Sequence, residues 1–479
     1  MAPVALIAAI LAMSLFGEDA ANRKIRIAYS ETRPILDSLA EALPSEFRGK
    51  SVKDQAAAWR GWLARHDARI RSRLMRGDED TLVNSLLYGT SFTNEPRLLP
   101  EDFARAPGSR GTGRLISLAE LNPRTQEAVN KRTEDLIRAI SNPGQNDRLL
   151  FLRWLVGQRG FKPDDEAGRA LLRRYVAENL LRVLQESAGY AGAIDAARGL
   201  GDAGEEFVRR STLFRDRGLS GDTSLRPDFA VEESLQELKK RKLLSPGGVR
   251  RVAIIGPGLD FTDKDSGYDL YPLQTLQPFA VIGSLLESGL AQIEKLDVIT
   301  LDISPAVNQH IRRSRQRALR GTGYTVQLPL DTDTPWKPEF LRFWETFGAQ
   351  IGSPTAAAKV PDTVRDIKLR AVRIRPDIVA RLEPVELDVV TEHLDLPDSG
   401  RFDLIVATNV FVYYDVFEQC LALANVERML RPGGFLLSNS ALLELPESRI
   451  RSVGYRTVVY SDRRADGEHI VWYARLQDR

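Results

Sequence analysis

The residues best placed to do chemistry lie in Val252-Ala-Ile-Ile-Gly256-Pro-Gly258-Leu-Asp260, an apolar run that enters a glycine turn. Two glycines there let the backbone pass close to a ligand where a Cβ would clash. By itself a G-x-G turn serves a bare strand-to-helix connection equally well. Asp302 closes a second apolar run, LDVITLDIS at 296–304, where a carboxylate can accept both hydroxyls of a ribose. Alone, Asp302 reads as a helix cap, a task open to Ser304 as well. Together the two features favour an adenosine-type ligand. A dinucleotide fingerprint wants a third glycine where Phe261 stands, directly after Asp260. A carboxylate at that place repels a pyrophosphate and suits a ligand carrying ammonium and sulfonium charge. NAD is therefore disfavoured.

Other chemistry is sparse. The four histidines, His66, His310, His393 and His469, stand singly without metal-ligand spacing, and Cys420 is the sole cysteine. An internal disulfide and a cysteine-rich metal site are excluded, and no metal is expected. Tyr413 and Tyr414 are weak candidates to border a reacting group, with aromatic packing at a helix start as the plain alternative. No residue is assigned as a catalytic base.

These residues need a scaffold, and the hydrophobic patterning supplies one. From 251 onward strand-like runs alternate with helical ones, the pattern of βαβ units and a mostly parallel sheet. The runs at 251–258, 296–304, 386–397, 402–410 and 431–440 read as five strands. Two alternating runs, 455–461 and 469–476, read as a closing antiparallel hairpin. The expected fold is α/β: a Rossmann-like, mostly parallel seven-stranded sheet with a C-terminal antiparallel hairpin, preceded by a mainly α-helical N-terminal domain.

The helical part covers 23–244. Ala56, Trp59, Leu63 and Ile70 recur at helical spacing in a run that Gly77 is expected to end. Further helical runs at 133–140, 146–160 and 166–190 are broken by Asn142-Pro-Gly and Lys162-Pro-Asp-Asp. The stretch 106–114, rich in glycine and arginine, reads as a mobile loop, and 245–251 as the boundary before a unit at 249–479. Within that unit 321–385 reads as an insertion, with aromatic residues at Trp336, Phe340, Phe343, Trp344 and Phe347. They form either a satellite core on the sheet or a lid over the site.

The order of glycine loop, Asp302, LDLP at 394–397, FDLIVATNV at 402–410 and LRPGGFLL at 430–437 resembles class I S-adenosylmethionine (SAM)-dependent methyltransferases. Within that superfamily, 403–437 is similar to the chemotaxis-receptor glutamate methyltransferases, as is LDIS at 301–304. The resemblance implies that SAM is the cofactor and assigns roles along this sequence. Gly256, Gly258 and Asp260 would line its methionine moiety, Asp302 the ribose hydroxyls and Ile303 an adenine face. Asp395, flanked by Leu394 and Leu396, would meet the adenine amino group, with Asn409 and Val410 beside the sulfonium. The expected activity is methyl transfer to an unidentified oxygen or nitrogen acceptor, on a protein side chain or a small molecule. A non-catalytic scaffold that keeps the fold, and an RNA methyltransferase, stand as the alternatives.

Charge adds little. Formal net charge is +2 over 479 residues, so nothing electrostatic argues for nucleic acid as partner. The arginine-rich helical runs at 60–76 and 312–320 read first as solvated faces paired with acids. Segment 1–22 opens with an apolar run at 2–16, shorter than the ~20 residues of a membrane span. It leaves a signal, an anchor that would bring membrane contact, and a plain helix all open. A cofactor made in the cytosol argues for a cytoplasmic catalytic part.

Overall fold

A computed structural model of the chain describes residues 23–39, 42–103, 117–198, 217–221, 223–260, 269–361, 364, 366–462 and 467–477. The apolar run 2–16, the stretch 106–114 and Phe261 fall outside them. Among the described residues no helix is long and apolar enough to cross a membrane.

In chain order the helical region holds β1 (Lys24–Arg26), α1 (Tyr29–Leu39), α2 (Val52–Tyr88), α3 (Pro123–Ser141), α4 (Asp147–Gln158), α5 (Glu166–Arg198) and α6 (Leu225–Lys240). Helix starts follow capping chemistry: Ser51, Asn122, Asn146 and Ser224 each accept first-turn N–H groups. Gly77 does not end a helix. α2 is 37 residues long and continues past Gly77 to Tyr88, and at Gly77 it is crossed by the chain at 217–221. A Cβ there would lie 1.9 Å from the Leu219 carbonyl oxygen. Glycine is needed for that crossing, not for a stop.

The C-terminal unit holds β2 (Arg251–Ile255), α7 (Gln277–Glu287), β3 (Asp297–Asp302), α8 (Pro305–Ala318), β4 (Tyr324–Asp331), α9 (Pro338–Thr346), β5 (Gly352–Thr355), β6 (Ile367–Ile374), α10 (Pro376–Val379) and β7 (Leu382–Glu386). β8 (Glu392–Leu394), β9 (Phe402–Ala407), α11 (Val416–Met429), β10 (Leu430–Ser438), β11 (Ile450–Val459) and β12 (Gly467–Arg475) follow. Seven strands form one sheet in the order β11-β12-β10-β9-β2-β3-β7. β10, β9, β2, β3 and β7 are parallel, and β12 runs antiparallel to β10 and to β11. This is the Rossmann-like sheet with its closing hairpin.

The third strand is offset from its expected place. β7 pairs with β3 from Val298↔Leu382 to Asp302↔Glu386, so it ends where the strand at 386–397 was expected to begin. The later residues turn at Asp388 and form β8, which pairs with β1 from the N-terminal region in a separate two-stranded sheet. Pro384 sits within β7, which an edge strand tolerates because one side needs no ladder.

Side chains alternate across the central strands, so the sheet separates two cores. Val252, Ile254, Leu404 and Val406 face one core together with α6 and α7. Ala253, Ile255, Ile405 and Ala407 face the other, with α1, α11 and the first half of α2. A third core lies among the second half of α2, α3, α4 and α5. The insertion forms a three-stranded antiparallel sheet in the order β4-β6-β5, backed by α9. Phe340, Phe343, Trp344 and Phe347 are buried with the main sheet's first core, and Trp336 packs against it. The aromatic cluster is core, so the lid alternative drops out.

Candidate functional site

Parallel strands end together, and at that edge β2 gives way to the glycine turn. Gly256 and Gly258 have φ of 68° and 65°, a region open to glycine and costly for other residues. A Cβ on Gly256 would come within 2.8 Å of Val410 Cγ2, at the end of the neighbouring strand β9. Backbone and Val410 thus meet closely at the edge.

Asp302 ends β3 and is buried. Burial pushes its pKa up to about 6, opposed by N–H donors from Ser304, Gly258 and Ile303. The cap of α8 is Ser304, whose side chain accepts from Val307 N–H. Asp302 is therefore not spent on capping, and it reaches back to the glycine turn. Ile303 is partly buried beside it.

Asn409, just past β9, is exposed and holds φ at 58°, uncommon for a non-glycine residue. Asn439, past β10, fixes it from both sides: its Oδ1 accepts from Asn409 N–H at 2.8 Å and its Nδ2 donates to Asn409 Oδ1 at 2.6 Å. Strain held in place by a dedicated partner is a frequent mark of a functional edge.

Tyr414 is buried, and burial together with Asp388 and Glu418 drives its phenol well above its ordinary pKa. It is a neutral group, unsuited to act as a base near neutral pH. Tyr413 lies with its ring centroid 5.9 Å from the Arg73 guanidinium of α2.

The remaining expected residues are distributed differently. Asp260 turns its carboxylate towards Tyr271 (2.8 Å), Gln274 (3.2 Å) and Arg148 (3.7 Å). Leu394 is buried in β8, Asp395 is exposed with its N–H on the Arg23 carbonyl, and Leu396 is partly buried. All three belong to the arm paired with β1, not to the end of the third strand.

The first carboxylate after the third strand is Asp388. Its Oδ1 accepts from Val390 N–H at 3.0 Å, and its Oδ2 lies 2.7 Å from His66 Nε2. His66 Nδ1 lies 2.9 Å from Glu418, which also pairs with Arg69. Burial opposes a charged imidazole, but the hydrogen bonds it donates to Asp388 and Glu418 outweigh burial and raise the His66 pKa to about 9. Glu418 is likewise pushed up by burial and pulled below its ordinary pKa by His66 and Arg69. His66, Asp388, Glu418 and Arg148 had no signal in the sequence. His66 stands 322 and 352 residues from its two partners, beyond the reach of any local spacing.

Among the described residues no group of three or more His, Cys, Asp or Glu side chains could hold a metal ion.

Residues 364–438 match the protein family described as "Methyltransferase domain". The match runs to the end of β10 and leaves the glycine turn and Asp302 outside it. No curated protein matches the chain. Similar solved structures include the N-methyltransferase NodS from Bradyrhizobium japonicum WM9, at 14% identity over 53% of this chain and 100% of that one, with a TM-score of 0.26. TrmN from Thermus thermophilus aligns at 14% identity over 55% of this chain and 53% of that one, with a TM-score of 0.26. A TehB-like SAM-dependent methyltransferase from Corynebacterium glutamicum aligns at 10% identity over 53% and 100%, with a TM-score of 0.21. The family match falls on strands whose order and edge are those described above, so residues 364–438 are similar to a methyltransferase domain in sequence and in the place of their strands.

Proposed function

We propose that this chain transfers the methyl group of SAM to an oxygen or nitrogen acceptor on a protein side chain or small molecule. The observation that carries the reading is Asp302, a buried carboxylate at the end of β3 that leaves capping to Ser304 and accepts from the glycine turn. The residues present fit the cofactor: a turn too tight for a Cβ at Gly256, and a carboxylate suited to ribose hydroxyls. When bound, SAM supplies an electrophilic methyl group.

In this reading Gly256 and Gly258 admit the backbone close to the methionine moiety, and Asp302 orients the ribose. Ile303 with Leu394, Asp395 and Leu396 borders the adenine, and Asp388 stands beside them. Asn409 and Val410 border the reacting end. Asp260 serves the shape of the turn through Tyr271 and Gln274, not direct contact with an ammonium group. Positioning supplies much of the acceleration in a displacement of this kind. A carboxylate acceptor needs no base, and the similarity of 403–437 to chemotaxis-receptor glutamate methyltransferases puts carboxylates among the acceptors to test. The acceptor side lies past Asn409, towards Tyr413 and α2, since the insertion's aromatic residues are core. The helical region at 23–244 then docks or selects the acceptor for the unit at 249–479.

Calorimetric titration with S-adenosylhomocysteine tests the reading. The wild-type chain should bind it with micromolar or better affinity and bind NAD far more weakly. Asp302→Ala should weaken binding by about 1.5–3 kcal/mol, the scale of hydrogen bonds to a charged group. Tight NAD binding without a signal for the SAM product would sink the proposal.

A further inference from the structure

The connection from Gly258 to α7 is not held by the methyltransferase sheet alone. Its two ends meet where Asp260 N–H donates to the Gln274 carbonyl at 2.7 Å. Gln274 is fixed in turn on β4: its Nε2 donates to the Gln327 carbonyl at 2.8 Å and its Oε1 accepts from Gln327 N–H at 2.7 Å.

The other grips come from the helical region. Arg148, at the start of α4 and only 5% exposed, donates to the Asp260 carbonyl at 2.6 Å and to the Tyr271 carbonyl at 2.9 Å. Asp269 accepts from the turn that follows α2, through Thr90 N–H at 2.7 Å, Thr90 Oγ1 at 2.8 Å, Ser91 N–H at 3.1 Å and Ser91 Oγ at 2.6 Å. Arg132, fully buried, backs that turn by donating to the carbonyls of Leu86, Gly89, Glu95 and Pro96. Leu259 N–H, next to Gly258, donates to the Gly221 carbonyl at 2.6 Å.

Burying an arginine is costly unless its donors are satisfied. Two of the acceptors of Arg148 are the carbonyls of Asp260 and Tyr271, and both are in place only when these two residues hold their positions beside the glycine turn. The helical region therefore biases the position of Asp260, and a binding loop fixed beforehand loses less freedom when its ligand arrives.

We infer that Arg148 and Asp269 are positioning residues through which the helical region holds the glycine loop in the conformation that receives the cofactor. This rests on the cofactor reading above.

Full-length Arg148→Met and Asp269→Ala are compared with wild type by amide exchange and by titration with S-adenosylhomocysteine. Exchange at Leu259 and Asp260 should accelerate, and the Kd should rise roughly tenfold to a hundredfold, the range for lost charged hydrogen bonds. Exchange in the strands β9 and β10 should stay as in wild type, which a general loss of structure would not allow. Arg148→Lys keeps the charge but not the fork and should rescue only in part. If either variant fails to fold, Thr90→Val with Ser91→Ala removes two hydroxyl donors and leaves both N–H groups. It should raise the Kd by a smaller factor in the same direction. Wild-type exchange and Kd in the folded variants overturn the inference. So does faster exchange with unchanged Kd, since the loop would then be held without consequence for the ligand. A wild-type chain that binds no S-adenosylhomocysteine strikes the cofactor reading itself, and the inference with it.

Discussion

The cofactor edge and the helical region that braces it are built on different length scales. At the edge, turn, carboxylate and cap lie within a few residues of their strands: Gly256 follows β2, Asp302 ends β3, and Ser304 caps α8. The brace is assembled from far apart. His66 reaches Asp388 and Glu418 across 322 and 352 residues, and Arg148 reaches Asp260 across 112. Even α2 divides along this line. Trp59, Trp62, Leu63 and Ile70 sit in a core of the sheet, while Leu82, Val83, Leu86 and Leu87 sit in the core of the helices. One helix ties the two regions, so the edge is local in sequence but not independent in energy.

The largest expected effect tests whether the insertion belongs to this relation at all. Trp344 is 2% exposed, with its indole N–H on the Leu328 carbonyl at 3.2 Å. Trp344→Ala should destabilise the chain by about 3–5 kcal/mol in denaturant unfolding. Under strongly native conditions its affinity for S-adenosylhomocysteine should stay near wild type. A variant of normal stability with lost affinity would make the insertion a cover for the site and weaken the contrast between edge and brace.

How much could be read beforehand follows the same division. Strands buried on both faces are continuous apolar runs, so 252–255 and 404–407 announce a parallel sheet without help from the rest of the chain. The glycine turn and Asp302 are legible because positive φ and a carboxylate at a strand end are local demands. The third strand was not, because Leu-Glu-Pro-Val-Glu at 382–386 carries a proline and two acids that an edge strand can accept. The more apolar residues just after it drew the assignment forward, onto the arm that pairs with β1. Gly77 read as a stop because a missing Cβ has the same signature whether it ends a helix or lets a chain cross one.

A middle-sized effect probes the brace through pH. The folded pKa of His66, about 9, lies above its ordinary value of 6.5. Its contribution is then fully present below pH 6.5 and is lost as pH rises through 9, a change on the order of 3 kcal/mol at most. Glu418, held below its ordinary pKa, acts at the other end: its contribution is present above that ordinary value and lost in acid. Stability should therefore decline between pH 7 and pH 9, and His66→Gln should lower it at pH 7 while flattening that decline. An unchanged slope in His66→Gln would show that the imidazole does not carry the link between α2 and the sheet.

The smallest expected effect concerns the edge alone. Asp302 has its pKa raised to about 6 in the free chain, chiefly by burial. Ribose hydroxyls donate to the carboxylate and not to the acid, so bound ligand should draw that pKa down again. Affinity for S-adenosylhomocysteine should then be level above pH 7 and fall as pH drops below 6. The loss approaches a factor of about ten per pH unit until the pKa of the complex is reached. His66 stays protonated throughout that acid range, since its pKa lies far above it, so its imidazole contributes no slope there. Titrations from pH 8 to pH 5 in wild type and Asp302→Asn separate the two regions. Wild type should show the acid loss, and the variant should bind weakly at every pH without it. A wild-type profile flat down to pH 5 would mean that Asp302 only orders the turn through Gly258 and Ser304, and the ribose would need another partner.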